Sequence, residues 1–203
     1  MIISEDKPIA EILESIENHS SIFIVGCNTC AAKLHVGGEQ EILSMKSVLE
    51  NSGKKVVGWA LPTAACSIRS WDHLAEKDRS INKADALLVM ACGSGASVIS
   101  KLGTIDVFPS NNTVSLGGSY KGEVLPDQCK MCGNCTLFYF GGICPYSQCP
   151  KKLLNGPCGG CSDDGACETD NDKECVWELI YKKLDEKNSL YLLERIFEPK
   201  VNK

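Results

Sequence analysis

The sequence predicts an α/β fold: an open parallel sheet covered by helices, followed by a small cysteine-rich unit and a C-terminal helix. Two observations carry this. Up to about residue 121, short aliphatic runs without polar alternation take turns with amphipathic segments, the pattern of a parallel sheet buried on both faces. From about Gly122 the texture changes. Nine of the thirteen cysteines fall between Cys129 and Cys175, glycine and proline are frequent, and long aliphatic runs vanish. The expected boundaries are 1–121 for the α/β domain, 122–176 for the cysteine-rich domain, and 177–203 for the helix and tail.

Each element has its own signal. Ile9, Ile12, Leu13 and Ile16 recur at helical spacing. "SIFIVG" (Ser21 to Gly26), "KKVVGWAL" (Lys54 to Leu61) and "ADALLVMA" (Ala84 to Ala91) read as buried strands. Between the first two, Ile42, Met45, Val48 and Leu49 form a helical stripe, and Gly53 sits where a helix should stop. Ser94 to Leu102 reads as a further helix. "TIDVF" (Thr104 to Phe108) and "TVSLG" (Thr113 to Gly117) are weaker strands. Alternating strands and helices imply right-handed crossovers in a Rossmann-like or flavodoxin-like sheet. Val176, Leu179, Ile180 and Leu184 form a late helical stripe, and Leu190, Leu193 and Phe197 a shorter one. Such stripes serve either the chain's own core or a partner.

Composition narrows the function. A chain of 203 residues can build one good core, or one core plus a small appended unit. A net charge of −5 argues against a nucleic-acid surface. No apolar run suits a membrane span, and the acidic start, "MIISEDKPIAEILESIENHSS", lacks the form of a signal peptide. A cytoplasmic setting is therefore expected. Thiols are kept reduced there, so disulfides are disfavoured and soft-metal binding is favoured.

Four cysteines are expected at strand ends. Cys27 follows "SIFIVG", and Cys30 completes "CNTC". Cys92 follows "ADALLVMA", and Cys66 follows "KKVVGWAL" past Pro62. Ligands of open α/β sheets gather beyond the carboxyl ends of the strands. The four sulfurs are thus expected on one sheet edge as a metal site. Ordinary buried thiols, or a redox dithiol at Cys27 and Cys30, are the competing explanations. "ACGSGAS" supplies Gly93 and Gly95 but not the full glycine pattern of a nucleotide loop, so a tight turn around a cluster suits it better. His35 is expected at the surface or behind the ligands, and Asp72 and His73 on a solvated helix face.

The second half holds "CKMCGNC", which is Cys129, Cys132 and Cys135. Zinc sites use separated C-x-x-C pairs, whereas three cysteines two residues apart follow the bacterial ferredoxin pattern. The remote fourth ligand of that pattern precedes proline, and Cys144–Pro145 and Cys149–Pro150 both qualify. Cys158, Cys161, Cys167 and Cys175 remain. Three sets of four leave one thiol over, and the last set suits a second cluster or zinc. Two or three [4Fe-4S] clusters, with zinc as the alternative for one site, are the expected cofactors.

Longer motifs carry a resemblance. "GGICP", "CPKKLLNGPCGG" with "GACE", and "CVWELIY" in the second half, and "GCNTCAAKLHVGGEQE", "LPTAAC" and "LLVMACGSGA" in the first, resemble the methylenetetrahydrofolate reductase C-terminal-domain family. The resemblance implies the small iron–sulfur subunit that accompanies a flavin-bearing catalytic subunit in acetogens and related anaerobes. It implies that Cys27, Cys30, Cys66, Cys92, Cys129, Cys132, Cys135, Cys144, Cys149, Cys158, Cys167 and Cys175 bind cofactor. It also implies a partner that holds FMN or FAD in a TIM barrel and reduces 5,10-methylenetetrahydrofolate or a related pterin. Electrons would come from a low-potential donor such as ferredoxin. The family motif has a small non-cysteine residue at the position of Cys161, which makes Cys161 the candidate spare thiol. A structural zinc adaptor without redox function, and a self-sufficient enzyme, are the competing classes.

Overall fold

The computed structural model describes residues 1–70 and 79–200, so Asp72 and His73 lie outside the described residues. The chain divides into two compact units, Met1–Ser115 and Leu116–Lys203. Among the described residues, no helix is long and apolar enough to cross a membrane.

The first unit is built on a four-stranded, fully parallel sheet. Its strands are β2 (Ser21–Val25), β3 (Lys55–Ala60), β4 (Ala86–Val89) and β5 (Asp106–Pro109), in the order β3-β2-β4-β5. The weak sequence signal at Thr104 to Phe108 thus marks a true edge strand. Parallel neighbours need crossovers, and α3 (Glu39–Asn51) makes the one between β2 and β3. Among the described residues, the unit's other α-helices are α1 (Ile9–Ser15), α2 (Cys30–Lys33) and α4 (Gly93–Ile99).

Alternation along β2 and β4 explains why their sequences are apolar throughout. Ile22, Ile24, Ala86 and Leu88 point to the face covered by Ile12 and Ile16 around α1 and by Ile42, Met45 and Leu49 of α3. Phe23, Val25, Leu87 and Val89 point to the opposite face, against Ala96 and Ile99 of α4. Full burial of each Val, Leu, Ile, Met or Phe among them contributes roughly 1.5–3 kcal/mol. Half of a capping box closes the start of α3, where the Gly38 N–H donates to Glu41 Oε2 at 2.9 Å.

Three strands form a second sheet. β1 (Ile2–Asp6) neighbours β6 (Asn111–Tyr120), and β6 neighbours β7 (Glu123–Cys129). The run at Thr113 to Gly117 therefore belongs to β6, whose pairing with β7 is antiparallel. Asn111 fixes the start of β6: its Nδ2 donates to the Val36 carbonyl at 2.8 Å and to Asp6 Oδ1 at 3.2 Å.

The second unit has a smaller core. Phe140, Cys175, Val176, Trp177, Ile180 and Leu184 are buried together, with Leu190, Leu193 and Phe197 packed against them. Five of these lie on or beside α6 (Val176–Asp185), so both late stripes serve the chain's own core. The buried stripe takes Trp177 where the spacing suggested Leu179, which is half-buried. The short α5 (Pro145–Gln148) and the hairpin of β8 (Ala166–Cys167) and β9 (Asp170–Glu174) complete the unit.

Leu88 is fully buried at the centre of the sheet. Leu88→Ala is expected to cost about 2–5 kcal/mol through the cavity it leaves. A lowered urea midpoint, followed by far-ultraviolet circular dichroism, measures it.

Candidate metal centres

All thirteen cysteines are free thiols. In the first unit, strand register decides where four of them go. Val25 of β2 pairs with Ala60 of β3 and with Val89 of β4, so the three strands end level. Cys27, Cys66 and Cys92 each lie just beyond one of these ends, and Cys30 starts α2. The sheet order turns back at β2, since β3 lies on one side of it and β4 on the other. In open sheets such a reversal, at the carboxyl edge, is the usual ligand position.

Backbone contacts hold the loops there. The Cys27 N–H donates to the Gly37 carbonyl at 2.9 Å, and the Asn28 N–H to the Pro62 carbonyl at 2.9 Å. Thr29 Oγ1 donates to the Thr63 carbonyl. The loop after β2 is thereby tied to the loop that leads to Cys66. Close packing depends on glycine: a Cβ on Gly37 would lie 2.0 Å from the Met90 carbonyl oxygen, and one on Gly95 would lie 3.0 Å from Ala65 Cβ. Gly95 therefore lets the Cys66 loop approach the start of α4. Of the two glycines of "ACGSGAS", Gly95 acts here as a close-packing residue.

The Cys66 thiol faces those of Cys92, Cys27 and Cys30. Cys27 and Cys92 are buried, Cys30 is half-buried and Cys66 is exposed. Burial raises the Cys66 thiol above its ordinary range, and the facing thiols of Cys92, Cys27 and Cys30 raise it further. The Ile2 N–H of β1 donates to Cys30 Sγ at 3.4 Å. Sequence reasoning missed that donor, because a backbone N–H carries no side-chain signature. His35 stays outside, exposed, with Nδ1 3.9 Å from Glu41 Oε1.

In the second unit, β7 delivers Cys129 at its end. Met131 and Gly133 take left-handed conformations, φ 51° and 72°, which coil the "CKMCGNC" loop. The Met131 N–H donates to Cys129 Sγ at 3.3 Å. Cys132 is half-buried and Cys135 exposed. The Asn134 backbone draws the Cys132 thiol below its ordinary range; burial opposes this, and the Lys200 ammonium adds to it. Cys144 and Cys149 bracket α5 as its two caps.

The remaining cysteines divide. Cys161 and Cys175 stand in side-chain contact: burial raises the Cys161 thiol, and Cys175 raises it further. Cys149 and Cys161 both pack against the core that contains Cys175. Cys161, the spare thiol of the sequence reading, thus has a cysteine neighbour. Cys158 Sγ instead donates to Glu168 Oε1 at 2.9 Å, and Lys151 pairs with the same carboxylate. Cys167 Sγ lies 3.2 Å from the Thr169 hydroxyl, which lowers its thiol below the ordinary range. In "CGGC", Gly159 is left-handed at φ 80°, while a Cβ on Gly160 would lie 1.9 Å from Glu168 Oε2. Glu168, in the "GACE" motif, has a placement the sequence did not reveal. Among the described residues, no group of three or more His, Cys, Asp and Glu side chains is placed so that it could hold a metal ion.

Residues 108–203 match the family model described as methylene-tetrahydrofolate reductase C terminal. That segment belongs to this family. It contains every cysteine from Cys129 to Cys175 and the whole of α6. No curated protein and no solved structure matches the chain.

Gly37→Ala is expected to displace the loop behind Cys27 and expose the buried thiols. In metal-free protein, alkylation of Cys27 and Cys92 should accelerate roughly tenfold, the effect of about 1.4 kcal/mol of lost protection. Gly103→Ala, whose Cβ would meet nothing within 4 Å among the described residues, should leave the rates unchanged. Peptide mass spectrometry after timed alkylation reads both.

Proposed function

We propose that this chain is the iron–sulfur electron-transfer subunit of a methylenetetrahydrofolate reductase complex. It passes electrons from a low-potential, ferredoxin-like donor to the flavin of a catalytic subunit. The observation that carries this reading is the convergence of Cys27, Cys30, Cys66 and Cys92 from three level strand ends. Four thiolates so placed repel one another, and a cationic, sulfur-seeking group relieves that repulsion. The donor set therefore fits an iron–sulfur cluster. When bound, such clusters supply one-electron transfer at low potential.

The second unit fits as well. Its loop turns through left-handed residues between regularly spaced thiols, as a cluster-binding loop must. Trp177 Nε1 is buried and has no hydrogen-bond partner among the described residues, in the same core as Cys175. A buried N–H donor without an acceptor costs roughly 1–3 kcal/mol, and a cluster sulfur is an acceptor. The family match over residues 108–203 supports the link to methylenetetrahydrofolate reductase. In this assignment the chain's own residues hold the thiolates, exclude solvent from Cys27, Cys92 and Cys175, and direct backbone N–H groups at sulfur.

One observation favours a zinc ion for a single site. Cys161 and Cys175 stand in side-chain contact, and two thiols so placed suit a tetrahedral ion. A structural zinc at that place is compatible with electron transfer elsewhere.

Iron, zinc and acid-labile sulfide per chain, measured on protein prepared without oxygen, test the reading. About eight to twelve irons with matching sulfide are expected, or about eight irons with one zinc. Zinc alone without sulfide overturns it. Replacing Cys129, Cys132 and Cys135 together by Ser should remove one cluster signal and abolish donor-dependent turnover of the complex. The catalytic partner should still accept electrons from artificial dyes. Unchanged donor-dependent turnover sinks the assignment.

A further inference from the structure

The segment after α6 does more than cover the core. Phe197 is clamped through its backbone: its N–H donates to Asn155 Oδ1 at 2.7 Å, and its carbonyl accepts from Asn155 Nδ2 at 2.9 Å. Its ring packs edge-on against Tyr139, with centroids 5.2 Å apart. Arg195 donates to the Tyr139 hydroxyl at 2.9 Å, and its guanidinium lies 4.8 Å from that ring's centroid. These contacts fix the direction in which the tail leaves the core.

Three residues beyond Phe197, Lys200 reaches the cysteine loop. Its Nζ donates to Cys132 Sγ at 3.5 Å, to Thr136 Oγ1 at 3.1 Å and to the Asn134 carbonyl. A cleft of about 510 Å³ opens there, lined by Cys132, Gly133 and Asn134 on the loop and by Phe197 and Lys200 on the tail. A long, flexible side chain loses freedom when held in one geometry, so three convergent acceptors at one ammonium mark a position that the tail's anchoring makes affordable. An exposed tail lysine with no such role would stay in water.

We infer that Lys200 is a positioning residue for a cluster bound by Cys129, Cys132 and Cys135: the anchored tail sets its ammonium beside the Cys132 sulfur, pins the loop, and favours the reduced cluster. This rests on the assignment of a cluster to those cysteines. A reduced cluster carries one more negative charge than an oxidised one, so a nearby cation stabilises it and raises its potential.

The test is a redox titration, followed by electron paramagnetic resonance, of the full chain loaded with iron and sulfide. The relevant signal is the one that disappears in Cys132→Ser. Lys200→Met should reduce the ratio of reduced to oxidised cluster about tenfold at a fixed potential, a shift of ~59 mV for one electron. Lys200→Arg should keep the parent midpoint, because it restores the charge. Asn155→Ala, which frees the tail without touching the loop, should shift the midpoint in the same direction as Lys200→Met. Loss of this one signal in Lys200→Met, reversed in Lys200→Arg, equally supports the role. An intact signal with an unmoved midpoint in both Lys200→Met and Asn155→Ala overturns the role of Lys200 and leaves the cluster assignment standing. A parent chain that binds no iron, or that loses no signal in Cys132→Ser, overturns both.

Discussion

The first unit depends on one constraint: parallel strands that pair in level register must all finish at the same edge. β2 pairs with β3 and β4 at once, and both pairings bring residues of equal rank to the end. A cysteine placed shortly after any of these strands is then delivered to that edge. Crossover helices occupy the two faces, so the edge is the place left for a ligand. The core and the site are therefore one design. Val25 and Val89 bury the sheet, and the next few residues carry the sulfur.

The second constraint is charge. Thiols that converge suppress one another's ionisation, as Cys66 shows, and burial acts in the same direction. The protein must therefore fix the loops by means other than the sulfurs. It does so with backbone hydrogen bonds from Cys27 and Asn28 and with glycines where backbones touch. The second unit lacks a sheet of that kind. Its loops bend through left-handed Met131, Gly133 and Gly159, and its rigidity comes from a compact aromatic core and from the tail that packs on it.

Much of this was legible in the sequence. Apolar runs without alternation at Ser21 to Gly26 and Ala84 to Ala91 mark strands buried on two faces, and a cysteine directly after each marks the edge. Other features left no such trace. β1 hides in an acidic start with only two apolar residues, because a short strand beside β6 needs little apolar surface of its own. The turn at Trp177 is similar: a bulky aromatic reaches the core from a position that simple spacing gives to a neighbour. The partners of individual cysteines were also hidden. Glu168 beside Cys158 and Lys200 beside Cys132 are ordinary surface residue types, and only the fold of the loop and tail brings them to sulfur.

The two units meet the same demand at different cost. In the first, apolar burial along the sheet stabilises the fold, and the thiols are carried at its margin. In the second, the chain between Cys129 and Cys175 has few side chains to bury, so its core is borrowed from α6 and the tail. That borrowing explains why the tail lies near sulfur at all. Phe197 completes the aromatic core, and the residues after it must leave past the nearest loop, which is the one that holds Cys132. A lysine at that exit meets partial negative charge from a carbonyl, a hydroxyl and a sulfur together. Packing thus brings the cation to the loop, and electrostatics gives it something to do there.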